Sequence, residues 1–246
     1  MKGTFASGMM AIDLSHTLEP GMPYFPGTEP TVFSRPFTVA RHGFAEQKIS
    51  LLTHSGTHMD APAHLLEGGA TLEQLGLPHF IGSALALDLS AIPNPVIEMD
   101  QLRPFQRSLA GKDFVLLRTG WSSHWGEAAY FRDFPVLSEA AARWLAGLDF
   151  KGVGVDTISF DAHDSSALPV HRVFLKQGIV LIENLVNLER IPEGEFIFCC
   201  LPLKLADTDG APARAIALCR EPKGKNGPLS PPRRQSPRAG NGGRRR

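Results

Sequence analysis

The run His54-Ser55-Gly56-Thr57-His58-Met59-Asp60-Ala61-Pro62-Ala63-His64 packs three histidines and an aspartate into 11 residues. With 9 histidines in 246 residues, composition alone would put about 0.4 there. His54, His58, Asp60 and His64 all carry even numbers, so an extended backbone projects them to one side. A helical backbone still leaves His54 and His58 on a shared face at i, i+4. Gly56 permits a tight turn, and Pro62 excludes a long regular helix centred here. Either geometry lets two imidazoles and a carboxylate converge on one cation, a donor set suited to Zn²⁺ or Mn²⁺ and not to Ca²⁺. The plain alternative is a histidine-rich surface loop, which a lone His-x3-His would favour. Four donor groups in one short segment favour a metal. Water on Zn²⁺ titrates near ~7, which supplies metal-bound hydroxide at neutral pH. His64 follows Pro62 and is suited to shuttle protons instead of ligating, since a free imidazole titrates near ~6.5.

Outward from this segment, β-branched and alternating stretches predict strands at 11–14, 31–39, 45–53, 83–89, 113–118, 152–156, 178–182, 195–205 and 214–219. Glu19 to Gly27 is a proline- and glycine-rich loop carrying Tyr24 and Phe25. Helix signals are fewer. Asp100 is a candidate cap for a helix through Leu109, with Pro104 tolerable only in the first turn. Ser138 caps a helix ended by Gly147, and Pro169 opens a short one stopped at Gly178. Many strands and few helices predict a mixed α/β domain over residues 1–219.

The net charge of zero averages two unlike regions. Residues 220–246 hold 9 of the 25 Lys/Arg and 1 of the 25 acids, leaving 16 basic and 24 acidic residues in 1–219, a formal −8. An acidic body does not suit a phosphate-tracking surface, so nucleic acid is not expected as a partner. The tail is rich in Pro, Gly, Ser, Asn and Arg, cannot offset its ordering entropy by burial, and is expected to be disordered. Cys199, Cys200 and Cys219 make no disulfide framework; reduced thiols, no legible signal peptide and no apolar run of roughly 18 residues predict a cytoplasmic protein without a membrane span.

The pattern His54, His58, Asp60, His64 resembles the signature of the cyclase family of metal-dependent hydrolases, which includes bacterial kynurenine formamidases and isatin hydrolases. Further stretches carry the resemblance: Asp13-Leu14-Ser15-His16-Thr17-Leu18, Leu117-Arg118-Thr119-Gly120-Trp121, Val155-Asp156-Thr157-Ile158-Ser159, Glu183-Asn184-Leu185 and Asp209-Gly210-Ala211-Pro212-Ala213-Arg214. It runs from Ile12 to about Leu218.

The resemblance implies a swivelling β/β/α fold and a homo-oligomer, dimer or larger. It makes His54, His58 and Asp60 metal ligands, with Asp60 shared where two ions are bound, and His64 the acid/base. A distal histidine and a glutamate twelve residues later complete the family's site, and His171 and Glu183 have that separation. Glu183 ends the apolar run from Gly178, where an unpaired carboxylate would be costly to bury. Phe25 falls where the formamidases place a tryptophan against an aromatic substrate, which keeps a π face and removes an N–H donor. The implied activity is metal-dependent amide hydrolysis, with an N-formylkynurenine-type aryl formamide cleaved to amine and formate. Opening of a cyclic amide on a single Mn²⁺ is the enzymatic alternative, and a metal-stabilised binding protein is the alternative from another class.

Overall fold

The computed structural model of the chain describes residues 4–5 and 8–221. The expectation for the tail therefore falls almost wholly outside the described residues. Among these lie strands β1 (Thr4–Phe5), β2 (Met9–Asp13), β3 (Val32–Phe37), β4 (Glu46–Ser50), β5 (His58–Asp60), β6 (Ile81–Asp88) and β7 (Val96–Ile97). They continue with β8 (Phe114–Arg118), β9 (Val136–Leu137), β10 (Gly152–Val155), β11 (Val180–Glu183), β12 (Phe196–Pro202) and β13 (Gly210–Arg220). The helices are α1 (Val39–His42), α2 (Met99–Leu102), α3 (Gln106–Leu109), α4 (Glu139–Ala146) and α5 (Pro169–Leu175).

One nine-stranded sheet runs β1-β2-β13-β12-β6-β8-β10-β11-β5, and β5 also pairs with β13. That last pairing closes seven strands into a barrel and removes their free edges. Closure depends on the length of β13: its start, Gly210–Pro212, pairs with β5, and its later part, Ile216–Arg220, pairs with β2. The strands β6, β8, β10 and β11 are mutually parallel, and the other pairs of this sheet are antiparallel. Parallel strands are covered on both faces, which explains the unbroken apolar runs Phe114–Leu117 and Val180–Ile182.

Alternation along the strands sorts the core into two layers. Phe114, Leu116, Val180, Ile182 and Met59 point into the barrel with Phe198, Ala215 and Ala217. Val115, Leu117, Val153, Val155 and Leu181 point the other way and pack under Leu145, Val173 and Phe174 of α4 and α5. The interior is narrow at β10: a Cβ on Gly152 would stand 2.9 Å from Phe114 Cε1, and one on Gly154 would stand 2.7 Å from Leu116 Cδ2. Glycine alternates with valine here because one face has no room.

The mixed α/β fold is as expected, and α4 starts at its Ser138 cap, whose hydroxyl accepts from the Ala141 N–H at 3.2 Å. The predicted helix from Asp100 to Leu109 is a correction. It splits into α2, a 3₁₀ turn Arg103–Phe105 and α3, and its capping box is formed by Glu98 with Gln101. Pro104 lies beyond the first turn, where its missing N–H and ring break the i→i−4 ladder.

Candidate metal centre

The His54–His64 run is neither one strand nor one helix. His54 lies in a turn completed by Gly56, whose φ is +65°; His58 and Asp60 lie on β5; and His64 ends a 3₁₀ turn Pro62–His64. Met59 points into the barrel, so His58 and Asp60 face outward toward α5. In the antiparallel register His58 pairs with Glu183 of β11, which sets their side chains next to each other. His171 of α5 closes the group from the helix layer. It is 3% exposed, buried with His58, Asp60 and Glu183, and not a helix-surface histidine.

The donor atoms converge. His54 Nδ1 is 2.8 Å from Asp60 Oδ1, and His58 Nε2 is 3.3 Å from both Asp60 Oδ1 and Glu183 Oε2. His171 Nε2 is 3.2 Å from Glu183 Oε1 and 3.7 Å from Asp60 Oδ2. Two sets of three, His54/Asp60/His64 and His58/Asp60/Glu183, each offer ligand atoms within 4.8 Å of one another, and Asp60 belongs to both.

Each inner histidine is engaged from behind. His58 Nδ1 donates to Gly56 O at 2.8 Å, and that carbonyl also accepts from Asn184 Nδ2 at 2.9 Å. Asn184 is held in turn by the Tyr130 hydroxyl at 2.7 Å. His171 Nδ1 donates to Asp161 Oδ2 at 2.6 Å, and Asp161 also accepts the Val170 and His171 backbone N–H groups. His54 Nε2 donates to Asp209 Oδ2 at 2.9 Å. With the outer nitrogen engaged as a donor, the inner nitrogen of each ring is the one that faces Asp60 and Glu183, and it becomes the metal-binding atom once a cation displaces its proton.

The residues fit a cation on a direct observation. His58 Nε2 and Asp60 Oδ2 are buried without a hydrogen-bond partner, and orphaned polar atoms of this kind are costly inside a protein. Protons substitute for the cation in part. Burial alone would lower His58 and His171, but the carboxylates beside them, Asp60 and Glu183 at His58 and Asp161, Glu183 and Asp60 at His171, raise each to about 10. Burial opposes His54 as well, and Asp60 with Asp209 raises it to about 9. His64 differs, because burial pushes it below the usual histidine value despite the pull of Asp60.

His64 stands at the rim, its ring 4.1 Å from that of His54 and its Nδ1 3.4 Å from Asp209 Oδ2. Phe25 is not drawn into the cluster and lies 37% exposed on its loop. Trp121 packs with Tyr130 and Phe134 and donates its indole N–H to Tyr130 O. His16 stacks on Trp125 at 3.7 Å, and burial pushes it down to about 4. Asp161, Asn184 and Asp209 are the site residues that sequence reasoning missed as participants. Asn184 and Asp209 fall inside recognised stretches, but no spacing rule distinguishes them, and Asp161 carries no local signal at all.

Residues 12–162 match the family model described as "Putative cyclase". Over 207 residues, 83% of this chain, it is 33% identical to a kynurenine formamidase of Bacillus cytotoxicus, covering 95% of that protein. It is 31% identical to one of Erythrobacter litoralis, covering 91% of it. Among solved structures, isatin hydrolase A from Ralstonia solanacearum superposes with a TM-score of 0.78 at 28% identity, over 87% of this chain and 93% of that one.

Proposed function

The chain belongs to the cyclase family, and from that premise we propose that it is a metal-dependent amide hydrolase that cleaves aryl formamides to the arylamine and formate. The observation that carries the reading is the convergence of three imidazole nitrogens on two buried carboxylates, with His58 Nε2 and Asp60 Oδ2 unpartnered. His54, His58, Asp60, His171 and Glu183 would hold Zn²⁺, as one ion or as two sharing Asp60, and Mn²⁺ also suits this donor set. Such an ion, when bound, polarises a carbonyl oxygen and makes a water more acidic.

His64 is the proton carrier in this reading. It borders the buried donors yet keeps access to solvent, so its ring reaches both a water and a substrate nitrogen. Water adds its oxygen to the formyl carbon, the C–N bond breaks, and the proton taken up by His64 departs on the amine nitrogen. Phe25, on backbone fixed by Pro23 and Pro26, offers an aromatic face to the substrate ring. The likeness to an isatin hydrolase supports a second reading, opening of a cyclic amide by the same residues.

Assembly as a homo-oligomer has a surface to draw on. The β3–β4 hairpin and its α1 crossing expose Val32, Phe37, Val39, Phe44 and Ile49. Cys199, Cys200 and Cys219 are all free thiols, in keeping with a reducing cytoplasm, and no helix among the described residues is long and apolar enough to cross a membrane.

The test is a panel of N-formylkynurenine, simple aryl formamides and isatin with metal-loaded protein, followed by formate and ring-opened product. Formate release is the expected result. Turnover of isatin alone would move the assignment to the second reading. A fully metallated protein that turns over none of them would make it a binding protein.

A further inference from the structure

We infer that Asp209 is a positioning residue that fixes His54 and His64 relative to each other. This rests on the reading of His54 as a ligand and His64 as the proton carrier. One oxygen, Oδ2, reaches His54 Nε2 at 2.9 Å and His64 Nδ1 at 3.4 Å, and the other, Oδ1, accepts from Thr53 Oγ1 at 3.0 Å. The backbone is anchored as well: Asp209 O accepts the Ala61 N–H at 2.8 Å, one residue beyond Asp60. Gly210, next in sequence, pairs with Asp60 and lies against the His54 ring, where a Cβ would stand 2.7 Å from Cε1. The backbone therefore runs against the His54 ring one residue from the carboxylate.

The core does not require an acid at this point. The Asp209 side chain is 43% exposed, and its partners Thr53, His54 and His64 all belong to or adjoin the metal segment. A carboxylate behind His54 fixes the tautomer that leaves Nδ1 free for a cation, and makes that nitrogen a stronger donor. The same oxygen orients His64 with its Nδ1–H inward, which leaves Nε2 to exchange protons with substrate. Asp209 thus couples ligand geometry to the direction of proton transfer, and it does so without touching the reacting atoms.

The test uses the full chain loaded with Zn²⁺, comparing wild type, Asp209→Asn, Asp209→Glu and His54→Ala. Zn²⁺ transfer to a colorimetric chelator, kcat and KM for an aryl formamide, and melting of the metal-free proteins are measured on each. Asp209→Asn is expected to lose about 10- to 100-fold in Zn²⁺ retention or kcat. KM and the metal-free melting temperature should stay near wild type, and Asp209→Glu should recover part of the loss. Wild-type Zn²⁺ release and kcat in Asp209→Asn would overturn the inference, as would an effect confined to metal-free melting. His54→Ala separates the two levels. Should it hold Zn²⁺ as tightly as wild type, the ligand reading itself fails; should it lose Zn²⁺ while Asp209→Asn behaves as wild type, only the role of Asp209 fails.

Discussion

Gly210→Ala puts a single methyl group against the His54 ring without changing any of the proposed ligands. The new Cβ would lie 2.7 Å from His54 Cε1, 2.9 Å from His54 Nε2 and 3.0 Å from the Met59 carbonyl oxygen. Comfortable carbon contacts begin near ~3.5 Å, so something must give by about 0.8 Å. The Met59 carbonyl belongs to the closed sheet and cannot retreat. The His54 side chain is 23% exposed and can, so the ring moves and its Nδ1 leaves its place 2.8 Å from Asp60. Functional constellations tolerate about 0.5 Å, and a misplacement near ~1 Å costs on the order of 10²-fold in rate. That factor corresponds to about 2.7 kcal/mol of lost transition-state stabilisation. The stability cost should fall at the lower end of the ~1–3 kcal/mol typical of overpacking, because the ring has solvent to move into. Turnover of an aryl formamide, metal content and urea unfolding on one preparation make the assay. Gly154→Ala is the control, since its Cβ meets Leu116 and Leu185 inside the barrel at 2.7 Å and none of the proposed ligands is among its nearest neighbours. It should lose stability while each folded, metallated molecule keeps its rate. Full activity and metal content in Gly210→Ala would refute the placement of His54.

Three further perturbations probe the same centre. His64→Ala should keep most of its metal and lose about 10²–10⁴-fold in kcat; metal lost in step with activity would make His64 a ligand, as its grouping with His54 and Asp60 allows. Asp161→Ala strips an acceptor from three donors, His171 Nδ1–H and the Val170 and His171 N–H groups, at about 1–3 kcal/mol each where water does not enter. It should lower the melting temperature and weaken metal retention, and unchanged melting would count against the buried Asp161–His171 pair. In the metal-free protein His54, His58 and His171 are raised above the usual value near ~6.5, so their contribution to stability is complete below that pH. That contribution should drain away as the pH climbs through about 9 to 10. Asp60, Glu183 and Asp161 are lowered by their histidine partners against the opposing effect of burial, so their contribution is present above their ordinary values and fails in acid. Metal added at pH 7.5 should release protons from the three imidazoles, measurable with an indicator dye, and metal uptake without proton release would contradict the charged metal-free state.

Much of the fold was legible because its signals are local. The Ser138 cap and the apolar runs of β8 and β11 announce themselves within a few residues. The His54–His64 run drew notice to its candidate donors by residue type, and Glu183 came with the family resemblance, supported by its place at the end of an apolar run. Barrel closure was hidden, because it joins Asp60 to Gly210 across the whole chain and depends on β13 dividing its length between two neighbours. Strands of two or three residues, β1, β5, β7 and β9, are too short to show alternation. Asp161 looks like any loop acid until the fold sets it behind His171, and Asp209, though inside a family stretch, shows its partner His54 only in the fold.

The central claim is that the buried donors hold the ion that makes this chain an amide hydrolase. It is tested most directly by titrating Zn²⁺ or Mn²⁺ into chelator-stripped protein while following formate release from N-formylkynurenine. No turnover is expected before metal is added, followed by a rise that breaks at one or two ions per chain. In Glu183→Gln, which removes a carboxylate charge shared by His58 and His171, the break should weaken or vanish. Full turnover in the stripped protein, or a Glu183→Gln titration identical to wild type, would contradict it.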